Sequence, residues 1–294
     1  MKKILITGCS GYIGQHLAKW LENDYEVYGI DIVDPVDTTP FKKFFHHDIR
    51  EPIDDFLFDF DDMPLEYDCI VHLAALVRVN ESVEHPRKYY ETNVNGTTNV
   101  LNGFNYHNFI FASTGAAEKP ISPYAISKLA AEHIVREHLD DKNDYAVPYT
   151  IFRFYNVIGS CGYSPTNPDG LFFNLIKAKE TGYFNLYGSD YNTPDGTPIR
   201  DYVHVLEICK AIEIAIRKPS CVPGADTQPF VENLGHGRGH SVLEMANVFQ
   251  LVNNCNFAIN YCQRREGDLE YSVLKDVSPY MANLYNFSDL MKVS

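Results

Sequence analysis

The chain has 294 residues, 45% apolar and 22% charged, enough for one large α/β core or two lobes and ordinary for a globular protein. With 25 basic against 39 acidic residues the net charge is −14, which argues against nucleic acid and anionic membrane as partners, so an anionic ligand would need a local cluster of cations. Seven scattered cysteines without Cys-x-x-Cys spacing fit reduced thiols in a cytoplasmic setting, and 11 histidines without ligand spacing give no reason to expect a metal. The apolar run Ile4-Leu5-Ile6 is too short for a secretory core, and no run approaches the roughly 18 apolar residues of a membrane span.

Residues 2–7 read as a short buried strand, followed by Gly8-Cys-Ser-Gly11-Tyr12-Ile13-Gly14 and a helical stretch through Leu17, Ala18, Trp20 and Leu21. Tyr25–Ile30 reads as a second strand that ends in Asp31. This is a βαβ unit in which glycines allow a tight turn and close backbone approach. A dinucleotide pyrophosphate would rest on the helix N-terminus, against Gly8, Gly11, Tyr12, Ile13 and Gly14. Asp31 suits adenosine ribose hydroxyls and would repel a 2′-phosphate, which favours NAD over NADP.

Further along, Phe44–Ile49 reads as a third strand, whose Asp48 either meets the adenine or is a solvated turn acid. The acidic segment Asp54–Asp62 suggests a surface helix and loop, and Asp68–Leu73 a fourth strand. Small residues Ala74 and Ala75 follow where a cofactor would pass a backbone. A long helix is expected around Val83–Phe104, then strands at 108–113 and Tyr149–Phe154. Strands alternating with helices specify a doubly wound parallel sheet.

Between the last two strands, Ser122 and Pro123 announce a helix as N-cap and first residue. Ile126, Leu129, Ala130 and Ile134 are its expected apolar stripe. Tyr124 and Lys128, four apart, share one face in the first turns. A phenol at the positive end of a helix dipole beside an ammonium can be tuned toward a base. With 20 tyrosines in the chain, this spacing alone is also expected by chance.

Beyond Asn156 the pattern changes. Gly, Pro and Asn cluster over Gly159–Gly170, Leu171–Lys179, Val205–Ile216 and Val242–Val252 read as helices, and Phe230–Gly235 and Phe257–Tyr261 as strands. The reading is a dinucleotide-binding domain over 1–157 with returning segments near 199–236, and a smaller lobe from 158–198 and 237–294.

Taken together, these blocks resemble the extended short-chain dehydrogenase/reductase family, and within it the UDP-sugar 4-epimerases. The likeness runs through Gly8/Gly11/Gly14, Asp31, Asp48-Ile49, Val71–Leu76, Tyr89–Asn93, Asn95–Thr97, Ser113-Thr114, Tyr124/Lys128 and Arg153–Asn156. It continues in Asp195–Val205, Asn233–Glu244 and Arg264–Asp268. The resemblance implies a Rossmann-type sheet with a smaller C-terminal substrate-binding lobe, NAD as cofactor, and inversion of C4 of a UDP-hexose through a transient 4-keto sugar; the alternatives are an epimerase of an N-acetylhexosamine or uronate nucleotide, or a catalytically weak NAD- and nucleotide-sugar-binding protein. It implies Tyr124 as acid/base, Lys128 on the nicotinamide ribose keeping Tyr124 acidic, and Thr114 in their proton network. Asp31, Asp48 and Ile49 would hold the adenosine end, and Leu73, Ala74, Ala75, Asn93, Ser113 and Tyr155 would lie along the cofactor. Asn156, Arg200, Arg265 and Asp268 would hold the nucleotide diphosphate and its ribose. A small-molecule nucleotide sugar is then the partner, with a homodimer open as the assembly. The chain departs from the family in a short connection from Thr114 to Tyr124, a helix shortened between Gly96 and Asn108, Val77 in place of a lysine, Gly170 in place of an asparagine, and an early C-terminus.

Overall fold

The computed structural model describes residues 1–53, 64, 66–140, 147–219, 231–265, 268–281 and 291–293. The chain clusters into two compact units, Met1–Arg153 with Cys209–Glu232, and Phe154–Ile208 with Asn233–Ser294. The expected acidic helix at Asp54–Asp62 lies outside the described residues.

The first unit opens with β1 (Lys2–Thr7), α1 (Tyr12–Leu21), β2 (Tyr25–Asp31), β3 (Lys43–His46) and β4 (Cys69–His72). Next come α2 (Val79–Glu84), α3 (Pro86–Tyr90), a π-helical turn (Glu91–Asn95) and α4 (Gly96–Gly103). β5 (Phe109–Thr114), a 3₁₀ turn (Gly115–Glu118), α5 (Pro123–Leu139) and β6 (Tyr149–Phe154) complete the run. The strands β5-β4-β1-β2-β3 are hydrogen-bonded in that order and parallel, with β1 paired on one side to β2 (Ile4 opposite Val27) and on the other to β4 (Ile4 opposite Cys69). Strand order therefore reverses beside β1, and in such sheets ligands bind outside the carboxyl ends at the reversal. Here those ends are Thr7-Gly8 and His72–Ala74. Leu5, Ile30, Ile70, Phe109, Phe111 and Ile151 of the strands pack with Val100, Leu101, Val135 and Leu139 of the helices in a closed core.

The second unit contains β7 (Asn156–Ile158), α6 (Leu171–Thr181), β8 (Tyr183–Tyr187) and β9 (Ile199–His204), which α7 (Val205–Arg217) follows directly. After β10 (Val231–Leu234), which completes the seven-stranded order β10-β6-β5-β4-β1-β2-β3, come β11 (Gly239–Ser241), α8 (Val242–Val252), β12 (Ala258–Cys262) and β13 (Tyr271–Ser272). β9 carries β7, β11 and β13 in a four-stranded sheet, while β8 and β12 form a parallel pair. Phe172, Leu175, Leu186, Met245 and Phe249 form the unit's core. α8 begins with a capping box, Ser241 and Glu244 each bonding the other's backbone N–H.

Three expectations are corrected. The third strand stops at His46, because Asp48 folds the chain into a turn in which it accepts the Arg50 backbone N–H at 3.0 Å. The single helix over 83–104 is broken at His85, which is forced out of helical geometry before Pro86, and widened by the π turn at 91–95. The buried face of α5 is Ser127, Lys128, Ala131, Glu132, Val135 and Leu139, while Ile126 is 43% exposed. Ser127 and Glu132 find polar partners inside, so the buried face is a mixed one rather than the apolar stripe read from the sequence. The first compact unit takes in 209–232, while 199–204 is the strand on which the second unit's sheet is built.

Candidate active site

The glycine loop shows why its residues are small. Gly8 has φ +71°, and a Cβ there would sit 2.6 Å from the Ala74 nitrogen. A Cβ on Gly14 would sit 2.3 Å from the Gly8 oxygen, so the helix can start against the strand end only with glycine. A Cβ on Gly11 would meet the Gly8 oxygen at 3.2 Å and no other protein atom within 4 Å, which leaves a cradle in front of a helix N-terminus that has no side-chain cap. Amides so arranged bind phosphate. Asp31 stands over this loop, accepting the N–H of Ser10 at 2.9 Å, Ile32 at 2.7 Å and Val33 at 3.2 Å. Burial pushes its carboxyl above the usual range, against the pull of these three bonds.

Asp48 and Ile49 follow β3, which pairs with β2 so that His46 lies opposite Asp31. Asp48 is held by Arg50 (Nε to both oxygens at 3.0 and 2.9 Å, Nη2 at 2.5 Å), which lowers its pKa. The Ile49 side chain is buried in the core against Gly96, and its carbonyl accepts from Asn99 Nδ2 at 2.9 Å.

At the end of β5 the Thr114 side chain hydrogen-bonds the Tyr124 hydroxyl. Thr114 Oγ1 also accepts the Ala116 N–H at 3.2 Å, which directs its own proton toward the tyrosine. The 3₁₀ turn thus fills the short connection and aims Thr114 as well. Ser122 caps α5 by accepting the Ala125 N–H at 3.2 Å. One turn beyond Tyr124, Lys128 is 3% exposed, its Nζ 4.1 Å from the centre of the Phe111 ring. Burial pulls its pKa down to about 7 against the opposing attraction of Glu132. Burial also holds Tyr124 above its ordinary value, opposed by the Thr114 bond. The expected lowering of Tyr124 is therefore not a property of these side chains alone, because desolvation outweighs the one hydrogen bond.

Behind Tyr124 runs a buried polar chain of fixed direction. The Ala74 N–H donates to Thr7 Oγ1 at 3.3 Å, and Thr7 donates to His72 Nδ1 at 2.6 Å. His72 Nε2–H donates to Thr97 Oγ1 at 3.0 Å, since the Thr97 proton goes to the Asn93 carbonyl at 2.7 Å. Asn93 Nδ2 donates to Ser127 Oγ at 2.9 Å, and Ser127 donates to the Tyr124 carbonyl at 2.7 Å. Asn93 also exchanges bonds of 2.8 and 3.0 Å with the Leu76 backbone. His72 is kept neutral, its pKa pulled down to about 3 by burial and then by the Lys128 charge. The side chains of Asn93 and Ser113, read as lying along the cofactor, bond inward: Asn93 is fully buried, and Ser113 donates to Glu132 at 2.5 Å.

In the second unit Arg200 Nη2 donates to Asp268 Oδ1 at 2.5 Å and to the Leu269 carbonyl at 2.6 Å. Arg265 stacks on Tyr187 with its guanidinium 4.1 Å from the ring centre. Asn156 Nδ2 donates to the Asp201 carbonyl at 2.9 Å, and Tyr155 donates its N–H to the Leu234 carbonyl at 3.1 Å. Arg200 and Arg265 are the two cations among these groups, Arg200 held by an acid and Arg265 by a ring face and the Asp169 carbonyl at 3.3 Å.

The model of the NAD-dependent epimerase/dehydratase family matches residues 4–227. The chain belongs to this family. It is 30% identical to a UDP-glucose 4-epimerase of Pisum sativum, over 91% of this chain and 86% of that protein. It is 29% identical to the UDP-glucose 4-epimerase of Bacillus subtilis (strain 168), over 90% and 86%. The structure of UDP-glucose 4-epimerase from Brucella ovis in complex with NAD matches with a TM-score of 0.83 and 26% identity, over 99% of this chain and 96% of that one. The Bifidobacterium longum enzyme in complex with NAD+ and UDP matches with 0.81 and 26%, over 98% and 96%. As an epimerase/dehydratase family member the chain needs a dinucleotide site, and the open cradle at Gly11, the uncapped first turn of α1 and the Asp31 carboxylate fit one.

Sequence reasoning passed over Glu132, Ser127, His72, Thr7 and Thr97. The only signal for Glu132 was its spacing, four residues past Lys128 on the same face. His72 and Thr7 carried none, because their partners come from other strands. No helix among the described residues is long and apolar enough to cross a membrane.

Proposed function

We propose that this chain is an NAD-dependent epimerase that inverts C4 of a UDP-hexose, the UDP-glucose/UDP-galactose pair. The observation that carries the reading is the Tyr124 hydroxyl, hydrogen-bonded to Thr114 and one helical turn from the buried Lys128, in the unit that carries the glycine cradle. A carbon bearing only H and OH has no acidic C–H, so it cannot be inverted by proton abstraction. Oxidation to a ketone, turning of the keto sugar and reduction on the other face achieve it. Bound NAD+ supplies the reversible hydride acceptor for that scheme.

Gly8, Gly11, Tyr12, Ile13 and Gly14 would hold the pyrophosphate of NAD+, Asp31 the adenosine ribose, and Lys128 the nicotinamide ribose. Tyr124 takes the proton of the 4-hydroxyl at its phenolic oxygen and returns it, with Thr114 hydrogen-bonding the same oxygen through both steps. Lys128 holds positive charge beside the phenolate, which offsets the desolvation that raises Tyr124. Arg200 and Arg265 grip the diphosphate, and Asp268 and Asn156 its nucleoside side, so that the sugar itself can turn. Incubating purified protein with UDP-galactose, UDP-N-acetylgalactosamine and UDP-galacturonate, followed by NMR, tests this. The expected outcome is interconversion of UDP-galactose with UDP-glucose, and conversion of none of the three would remove the reading.

A further inference from the structure

Glu132 is fully buried on α5 and takes no part in the scheme above. Its Oε1 accepts from Ser113 Oγ at 2.5 Å and from Arg153 Nε at 2.8 Å, and its Oε2 accepts from Arg153 Nη2 at 2.6 Å, with Arg136 Nη2 at 3.6 Å. Strand β5, strand β6 and helix α5 thus converge on one carboxylate. That carboxylate lies one turn from Lys128 on the same helix face. An ammonium in such a site is strongly disfavoured unless a fixed opposite charge stands near it.

We propose that Glu132 is a positioning residue for the Tyr124–Lys128 pair: pinned by Ser113 and Arg153, its carboxylate keeps the Lys128 ammonium charged and in place within the site. This rests on the reading that Tyr124 and Lys128 carry the chemistry. The other groups around Lys128 do not supply that negative charge. From β4 His72 is neutral, from β5 Phe111 offers only a ring face, and from α3 Tyr89 packs edge-on to Tyr124 with its own ionisation pushed up. Arg153 of β6 and Arg136 of α5 are cations held by Glu132. Among the charges around Lys128, Glu132 is the one that raises its pKa.

The experiment is an NMR titration of Lys128 in protein labelled at lysine Cε, assigned with Lys128→Arg, alongside the pH profile of turnover. In Glu132→Gln the Lys128 titration should move down by at least about one pH unit, and the alkaline limb of turnover should move with it. Glu132→Asp, which keeps the charge, should return both toward wild type. Because Glu132→Gln removes the carboxylate that holds Arg153, Glu132→Gln/Arg153→Gln serves as the variant whose fold does not depend on that pair, and it should shift in the same direction by less, since a cation is removed with the anion. A Lys128 titration unchanged in the glutamine variants would overturn the proposal, whatever their stability. A titration that moves while the alkaline limb stays put would sustain the hold of Glu132 on Lys128 and overturn the catalytic reading of Lys128 instead.

Discussion

The helix carrying Tyr124 and the strand carrying Arg200 show two ways of using polar groups. On α5, Ser127, Lys128 and Glu132 face inward, and Ser127 and Glu132 are tied to other side chains or carbonyls by several bonds. In the second unit, Arg200 on β9 and Arg265 sit nearer the surface and bond mainly to backbone carbonyls, Arg200 also to Asp268. The first arrangement fixes atoms to fractions of an ångström and sets protonation, as chemistry requires. The second leaves cationic groups able to exchange a carbonyl or an acid for phosphate oxygens, as binding requires. Substitutions on α5 should therefore change turnover, and those around β9 should change affinity.

The largest expected effect tests the first half of that contrast. Tyr124→Phe should keep nucleotide binding and lower turnover by about 10²–10⁴-fold, the usual loss of a general acid/base. Steady-state kinetics with calorimetric binding would decide it, and near-normal turnover would break the distinction. Next, Arg200→Ala removes charge-assisted bonds of about 1.5–3 kcal/mol, so KM for the nucleotide sugar should rise by about 10–100-fold with little change in kcat. A kcat that fell equally would place Arg200 with the reacting groups.

The smallest effect concerns stability. His72 titrates near 3 in the folded chain and near 6.5 when unfolded, so the unfolded state binds its proton first. The His72 contribution is therefore intact above about pH 6.5 and is lost as the pH falls from there toward 3. Urea unfolding of wild type and His72→Asn at pH 7 and pH 5 should show the wild-type advantage shrinking by about 2 kcal/mol at the lower pH. A constant gap would mean that His72 is not held neutral.

Legibility from sequence followed the range of the interactions. Gly8, Gly14, Ser122 and Pro123 act on their own turns, so their consequences could be read locally, and the parallel sheet followed from the alternation of elements. The face of α5 could not be read that way. Hydropathy assumes that Lys128 and Glu132 point to water, whereas Arg153 and Ser113, distant in sequence, give Glu132 partners inside. β7, β11 and β13 span two or three residues each and exist only because β9 offers them a backbone to pair with, so no pattern within them announces a strand. Thr114 and Tyr124 could be paired in advance because both stand at the same end of the sheet, one closing β5 and one opening α5. The relay through Thr7, His72 and Thr97 needed the strand order first.

The π-helical turn at Glu91–Asn95 makes this helical segment sensitive to length as well as to composition. Such a turn holds one residue more than an α-helical turn, and each residue of a helix accounts for about 100° of rotation. Loss of a single residue anywhere in the turn would let the backbone close into an ordinary helix, swinging everything N-terminal to it by that angle. Asn93 could then no longer reach the Leu76 backbone and Ser127 together. A conservative exchange at Thr92 or Val94 leaves that phase untouched, so this stretch should accept changes of side chain far more readily than changes in the number of residues.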